Sequence, residues 1–355
     1  MATPTAPQTR LHARGFKKSA QTWGTAEALG ATDEVLLNGN SGLQPPTFPI
    51  IPTNESDQAF VKEADFGNQG PVEIAAPIDM RYEMGAAGRI LAQIFGTAGV
   101  PTDLTGAHKH TFQWKTDISA LFGTWAEERA GKIFEVASAK PYKAEFSFAD
   151  ALLKAVLSMR GDSCIDNSAV NTLTQMDALT IPAEPFLNTR VRFKQGVVKM
   201  NAESGADVTA ETALQVNDLT ISFERPIDGG IHAVGSEKII EPMEEGQSGH
   251  DLISVKLSFP RMNAVNAAFF QTFTAETEQK MLIQFTGALI TGALYYDIKF
   301  YFPRLRIKAP TYDAEEIVKG GLELIAEEAA AAPTGMTYAV PYMEIVNLQT
   351  TDYLA

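Results

Sequence analysis

Strict alternation of apolar and polar positions dominates the second half of the chain. In DLTISFE, Leu219, Ile221 and Phe223 alternate with Asp218, Thr220, Ser222 and Glu224; in LISVKLSF, Ile253, Val255, Leu257 and Phe259 alternate with Ser254, Lys256 and Ser258. A period of two sends the two sets to opposite faces of a strand, so these segments predict sheets with one covered and one wet face. RVRFKQGVVKMN, KMLIQFTGALI, LYYDIKFYFPRLRIK and YAVPYMEIVNL continue the theme. From Leu294 to Ile307 apolar residues fall on both faces, which predicts cover on both sides.

Helical spacing is rarer. GAAGRILAQIFG places Ile90, Leu91, Ile94 and Phe95 on one face and stops at Gly96; FADALLKAVLSMRG does the same with Leu152, Leu153, Val156 and Leu157 and stops at Gly161. NAVNAAFFQTFTAETE is a weaker third candidate, and YDAEEIVKGGLELIAEEAAAA reads as helix by propensity or, around GLELIA, as strand. Residues 1–70, rich in Pro, Gly, Asn and Thr, read as an extended arm or strap rather than core. VEIAAPIDMRY, GRILAQIF and HTFQWK share their order with LISVKLSFPRM, NAAFFQTF and MLIQFTG about 180 residues later. Identity between the two runs is slight, which leaves tandem duplication open. The expected division is an arm at 1–70 and two β domains at 71–205 and 206–355.

Charge narrows the function. With 29 Lys and Arg against 43 Asp and Glu, the 355-residue chain carries −14. Such a surface repels phosphate, whose capture depends on Lys and Arg displacing counterions, which argues against a nucleic-acid wrapping role. The first twenty residues hold Arg10, Arg14, Lys17 and Lys18 and no acid, whereas Thr311 onward holds eight carboxylates and the single base Lys319. No apolar run is long enough for a membrane helix, the start lacks a secretory apolar core, and the single Cys164 allows no intramolecular disulfide. Synthesis in a reducing cytoplasm fits best.

Reactive constellations are weak. His108 and His110 share a strand face but need a third ligand, and the flanking loop offers mainly Asp103. Gly161-Asp162-Ser163-Cys164 has the letters of a serine-hydrolase box but follows a predicted helix well inside the chain, where that nucleophile does not belong. With Arg160 the same residues spell RGD, expected by chance and read as a helix end. Cys164 reads as a small hydrophobe, phosphate-binding glycine loops are missing, and Asn54-Glu55-Ser56 is a glycosylation sequon without a secretory route. Phe269, Phe270, Phe273, Tyr295, Tyr296, Phe300, Tyr301 and Phe302 could stack bases, but with no basic groove beside them they read as core or interface packing. The expectation is therefore a structural protein, not an enzyme, with no catalytic residue, metal or cofactor.

Several segments together resemble the major tail tube proteins of long-tailed bacteriophages with non-contractile tails. GPVE at Gly70–Glu73 followed by GRILAQIFGT resembles that family's strand leading to a leucine-rich helix that ends in Gly. VNDLTISFERPID resembles the strand opening the second half, and VGSEKIIEPMEEGQSGHDLISVKLSF its acidic loop and return strand. FTGALITGALYYDIKFYFPRLRIKAP and PTGMTYAVPYMEIVN resemble the closing strands, the last ending in Asn347.

The resemblance implies a mainly β fold, a β-sandwich or partial barrel with short flanking helices, whose copies form rings stacked into a tube through which DNA leaves the capsid. A chain long enough for two such units implies a ring of three with pseudo-sixfold symmetry, a ring of six being the alternative. The implied partners are further copies and other tail proteins (terminator, tape measure, tail tip), and DNA passes without specific binding. The implied location is the virion tail, after synthesis in the bacterial cytoplasm. The polar face of Asp218, Thr220, Ser222 and Glu224 is expected to line the lumen. The acidic loop with Glu237, Glu241, Glu244 and Glu245 is expected to meet a neighbouring ring through bases such as Arg10, Arg14, Lys17 and Lys18. Two other readings stand beside this: another tail component, at the tip or of contractile type, and a carbohydrate-binding β-sandwich module using Trp114, Trp125 and the tyrosines.

Overall fold

A computed structural model describes residues 14–38, 42–44, 50–52, 64–66, 69–129, 131–149, 151–180, 189–236, 238–244, 252–261, 263–313 and 319–355. The chain begins with strands β1 (Arg14–Lys18), β2 (Ile50–Pro52), β3 (Ala64–Phe66) and β4 (Val72–Asp79), then helix α1 (Ala86–Phe95). Strands β5 (Thr102–Asp103), β6 (His108–Gln113), β7 (Gly123–Arg129), β8 (Lys132–Ala149), β9 (Leu152–Gly161) and β10 (Ile165–Asp166) follow, and a short α2 (Leu173–Ala178). The second half contains β11 (Gly196–Ala202), β12 (Asp218–Glu224), β13 (Ile253–Phe259), α3 (Ala264–Thr274), β14 (Gln279–Thr291), β15 (Leu294–Asp313), β16 (Lys319–Glu327) and β17 (Tyr342–Asn347). The fold is mainly β, and antiparallel pairing joins every strand except the β2–β3 pair into one sheet.

Alternation sets the inner face. Leu219, Ile221 and Phe223 of β12 and Ile253, Val255, Leu257 and Phe259 of β13 are buried, while their polar neighbours point outward. The sheet curls over this face, which brings distant strands together at Phe223. Its ring lies 4.7 Å from Phe95 of α1, 6.1 Å from Phe146 of β8 and 6.1 Å from Phe302 of β15. Burying one such ring is worth about 2–3 kcal/mol. Helix α1 closes the core, its residues Ile90, Leu91, Ile94 and Phe95 wholly enclosed. Of the run from Leu294 to Ile307, the part from Tyr296 to Leu305 is covered on both sides, while Tyr295 is 46% exposed: Ile298, Phe300 and Phe302 join the main core, and Tyr301 stacks at 4.5 Å on Tyr342 behind it.

The helix expected over Phe148–Gly161 is instead the end of β8 and strand β9. Leu153, Ala155, Leu157 and Met159 point inward, and Lys154, Val156, Ser158 and Arg160 point outward. LLKAVLSMRG satisfies both periods, and the neighbours decide: β4 and β8 pair with its two edges along nearly its whole length. The undecided GLELIA segment is likewise a strand, β16, with Leu322 and Leu324 buried between β13 and β15.

Residues 14–38, read as part of an arm outside the core, are woven into it. Strand β1 pairs with β7, and Phe16, Leu29 and Val35 are buried. Gly123, opposite Lys18, is held to glycine because a Cβ there would sit 2.4 Å from the Phe16 ring.

Strand order carries an internal repeat. In the first half, β9 pairs with both β4 and β8, α1 follows β4, and β7 forms a hairpin with the long β8. In the second half, β16 pairs with both β13 and β15, α3 follows β13, and β14 forms a hairpin with the long β15. Both long strands bulge at matching places, β8 between Pro141 and Lys143 and β15 between Ile307 and Ala309. β1 flanks β7 as β11 flanks β14. The counterpart of β14 is thus β7, not the β6 segment HTFQWK that sequence order pointed to. Because β11 ends at Ala202 and pairs with β14, the chain passes to its second repeat before the expected boundary at 205.

Candidate assembly surfaces

Two features of the sheet bear on assembly: its outward polar face and the outer edges of its two halves. On the polar face, Asp218 and Glu224 are exposed, and Thr220 and Ser222 are half-buried. Register places Thr220 beside Ser147 and Lys256, Ser222 beside Glu145 and Ser254, and Glu224 beside Lys143. Carboxylates and cations are interleaved across it. Lys143 is 3.0 Å from Glu224, Arg160 is 2.6 Å from Glu73, and Lys256 is 3.7 Å from Glu323. Burial works against the charge of Lys143, but the hydrogen bond and charge of Glu224, with Glu145, hold its ammonium above the ordinary range. Next to this row, burial and then the charge of Glu73 push the Tyr142 phenol up to about 12. The four expected lumen residues therefore share one polar, charge-balanced wall.

The outer edges of the two halves match each other through the repeat. On the edge of β4 away from β9 runs the segment flanking Leu43: Leu43 bridges Ile74, Gln44 N donates to Glu73 O at 3.0 Å, and Ala75 N donates to Gly42 O at 2.8 Å. It stands to β4 as β12 stands to β13. Each half is thus a block of four strands, and the blocks join where β12 pairs with Lys143–Ser147 of β8. By the matching bulges, the corresponding stretch of β15 is Ala309–Asp313. Among the described residues, that stretch has β16 on one edge and no ladder partner on the other.

The bases expected to reach a neighbouring ring are spent within the chain where they are described. Arg14 is buried, 3.3 Å from Glu127; Lys17 donates to Ala28 O at 2.9 Å, and Lys18 donates to Leu354 O. In the acidic loop, Glu241 accepts from Lys140 at 2.7 Å and Glu244 from Arg225 at 2.5 Å. Arg10, Glu237 and Glu245 lie outside the described residues. Arg225 is itself a fold anchor that sequence inspection missed. Its guanidinium donates to Ile94 O and Phe95 O at the C-terminal end of α1 and to Lys115 O just after β6, and lies 3.7 Å from the Trp114 ring centre.

The chemical candidates are held in structural roles. His110 is fully buried; its Nε2–H donates to Gln349 O at 2.9 Å, and burial lowers its pKa below the usual 6.5. Among the described residues no three His, Cys, Asp or Glu side chains converge on a metal-sized site. Burial pushes the Cys164 thiol up to about 11, which keeps it protonated and unreactive at neutral pH. Arg160 of the RGD string grips Glu73 and the carbonyl of Asp228, and Asp162 accepts from Ser138 N at 3.1 Å, so the string ends a strand rather than a helix. Trp114 and Trp125 are buried. No helix among the described residues is long and apolar enough to cross a membrane. Comparison with known proteins finds no matching family model and no matching curated relative.

Proposed function

We propose that this chain is a structural virion protein, the repeating subunit of a phage tail tube. The reading joins the resemblance in sequence to one observation: two four-strand blocks meet at β8 and β12, and the outer edges of those blocks have the same relation to each other as that internal seam. A second copy can extend the sheet by setting its Leu43 segment against Ala309–Asp313, as β12 sets against β8. Pro310 leaves that ladder short of one donor. Unlike ends that join by rotation close into a ring, which also removes the exposed edges. Two blocks per chain favour a ring of three with pseudo-sixfold symmetry over a ring of six.

In the ring, the wall of Asp218, Thr220, Ser222 and Glu224 faces the channel. Its carboxylates are matched by cations, so it offers no basic cluster for phosphates to displace counterions against, and DNA slides past without specific binding. Synthesis in the bacterial cytoplasm, residence in the virion tail and contacts with terminator, tape-measure and tip proteins belong to the same reading. The carbohydrate-module alternative loses its platform, because Trp125 is wholly enclosed and Trp114, Tyr301 and Tyr342 are buried in the fold. Negative-stain electron microscopy and sedimentation of the purified protein at rising concentration test the proposal. Rings or tubes are expected; a species that stays monomeric at high concentration would falsify it.

A further inference from the structure

Two surfaces at opposite ends of the same strands are complementary in polarity and charge. The first is a hairpin closed by the bridges Ile227 to Glu244 and His232 to Ile239. It is fixed to the body by Arg225 on Glu244, by Lys140 on Glu241 and by Trp23 Nε1–H donating to Ile239 O at 2.8 Å. Despite this anchoring it turns Ile231, Val234, Ile240 and Met243 to solvent, with Met243 71% exposed and Val234 entirely so. A firmly held hairpin that exposes four large apolar side chains marks a contact surface. Residues 226–245 are also acidic, with Asp228, Glu237, Glu241, Glu244 and Glu245 against Lys238.

The second surface is an apolar cleft of about 70 Å³ lined by Phe148, Phe193, Val198, Val216, Leu219 and Phe285. Phe193 packs edge-on against Phe148 at 4.9 Å, and Phe193 and Val197 are 37% exposed. Water gains little in a space that offers it so few polar partners. The chain beside it is basic: residues 189–199 hold Arg190, Arg192, Lys194 and Lys199 and no acid. Arg192 and Lys194, which flank Phe193, are exposed.

Strand β8 measures the separation. Lys140 touches the hairpin, and Phe148, eight residues on, lines the cleft. At about 3.3 Å per residue the two surfaces lie about 26 Å apart, at opposite ends of β12, which runs from Leu219 at the cleft towards Arg225 at the hairpin. Contacts between unlike surfaces at opposite ends do not close in a pair but propagate as an open stack. We propose that the hairpin of one copy seats on the cleft of the next copy along the axis. Val234 and its apolar neighbours meet the Phe148–Phe193 pocket, and the excess acid of segment 226–245 faces the basic run at 189–199. This rests on the tube reading and names its axial contact.

The test uses Val234→Asp and Phe193→Asp in the full chain, read by electron microscopy and sedimentation. Because Val234 touches nothing in the subunit, its variant is expected to keep the wild-type melting temperature while giving single rings and no tubes. Tubes as long as those of wild type would overturn the axial contact and leave the ring reading standing. A wild type that forms neither rings nor tubes would instead sink the ring reading. A cross-link then judges the contact alone. In a Cys164→Ser background, Val234→Cys chains mixed with Val216→Cys chains should form disulfide-linked dimers under mild oxidation, and neither should do so by itself. No cross-link in the mixture overturns the contact.

Discussion

Lys143 of β8 lies 3.0 Å from Glu224 of β12, across the seam where the two four-strand blocks join. The pair lies on the outward face of the seam that joins the two blocks. Both side chains are partly exposed, so the pair is worth at most about 1 kcal/mol. Glu224→Lys sets two ammonium groups opposite each other and should lower stability in urea by about 0.5–1 kcal/mol. Combining it with Lys143→Glu should restore part of that loss, although Glu145 nearby limits the recovery. A double variant no better than the sum of the single ones would show that the seam is indifferent to this pair.

The same wall gives a functional prediction. Reversing Asp218 and Glu224 to Lys leaves Lys143, Lys256 and the new ammonium groups together on a face that is otherwise balanced. Rings should still assemble, because none of these side chains enters the core. DNA ejection from reconstituted particles should slow, and the slowing should fade as salt rises and screens the wall. Ejection kinetics identical to wild type would remove these residues from the channel.

What could be read in advance followed from how strongly each segment specified its own period. β12 and β13 alternate without exception, and their faces are as expected. Leu152–Gly161 obeys two periods at once, and only the flanking edges of β4 and β8 make it a strand. The strap failed for a related reason: a Pro- and Gly-rich composition describes backbone freedom and says nothing about one Phe16 finding a pocket beside Gly123. The repeat was visible as an order of elements, yet its true members, β7 with β14, share no legible motif because pairing topology rather than sequence defines them. Arg225 and the exposed hairpin were missed because one arginine after a strand and a scatter of Ile, Val and Met carry no pattern. Their meaning lies in what three-dimensional neighbours do or do not cover.

Arg225 links the two halves through α1. It spans Glu244, two carbonyls at the end of the helix, the carbonyl of Lys115 and the Trp114 face while only 1% exposed. Arg225→Met keeps much of the aliphatic volume but removes a donor from each of those carbonyls, Phe95 O keeping only Lys115 N–H, and leaves Glu244 without its cation. The expected cost is about 3–5 kcal/mol by chemical denaturation. Arg225→Lys should recover little, since one ammonium cannot serve four acceptors in a planar fork. A loss below about 1 kcal/mol for the methionine variant would mean that water replaces the guanidinium.

His110 predicts the acid limit of the fold. Its Nε2–H is committed to Gln349 O, its ring packs 4.8 Å from Tyr353, and its Nδ1 is buried without a hydrogen-bond partner. Burial is the main cause that lowers its pKa, with His108 adding a little, while Gln349 and Asp352 oppose the shift. The unfolded chain therefore binds a proton near pH 6.5 that the native chain refuses, and the unfolded state gains stability as pH falls below that value. For this group the contribution is intact above about pH 6.5 and shrinks below it until the native imidazole also titrates. Urea midpoints measured from pH 7.5 to 5 should decline through that window. His110→Phe, which fits the Phe112 and Tyr353 surroundings but cannot titrate, should start lower for want of the Gln349 hydrogen bond and show a flatter decline. An undiminished slope in that variant would assign the acid sensitivity to other groups.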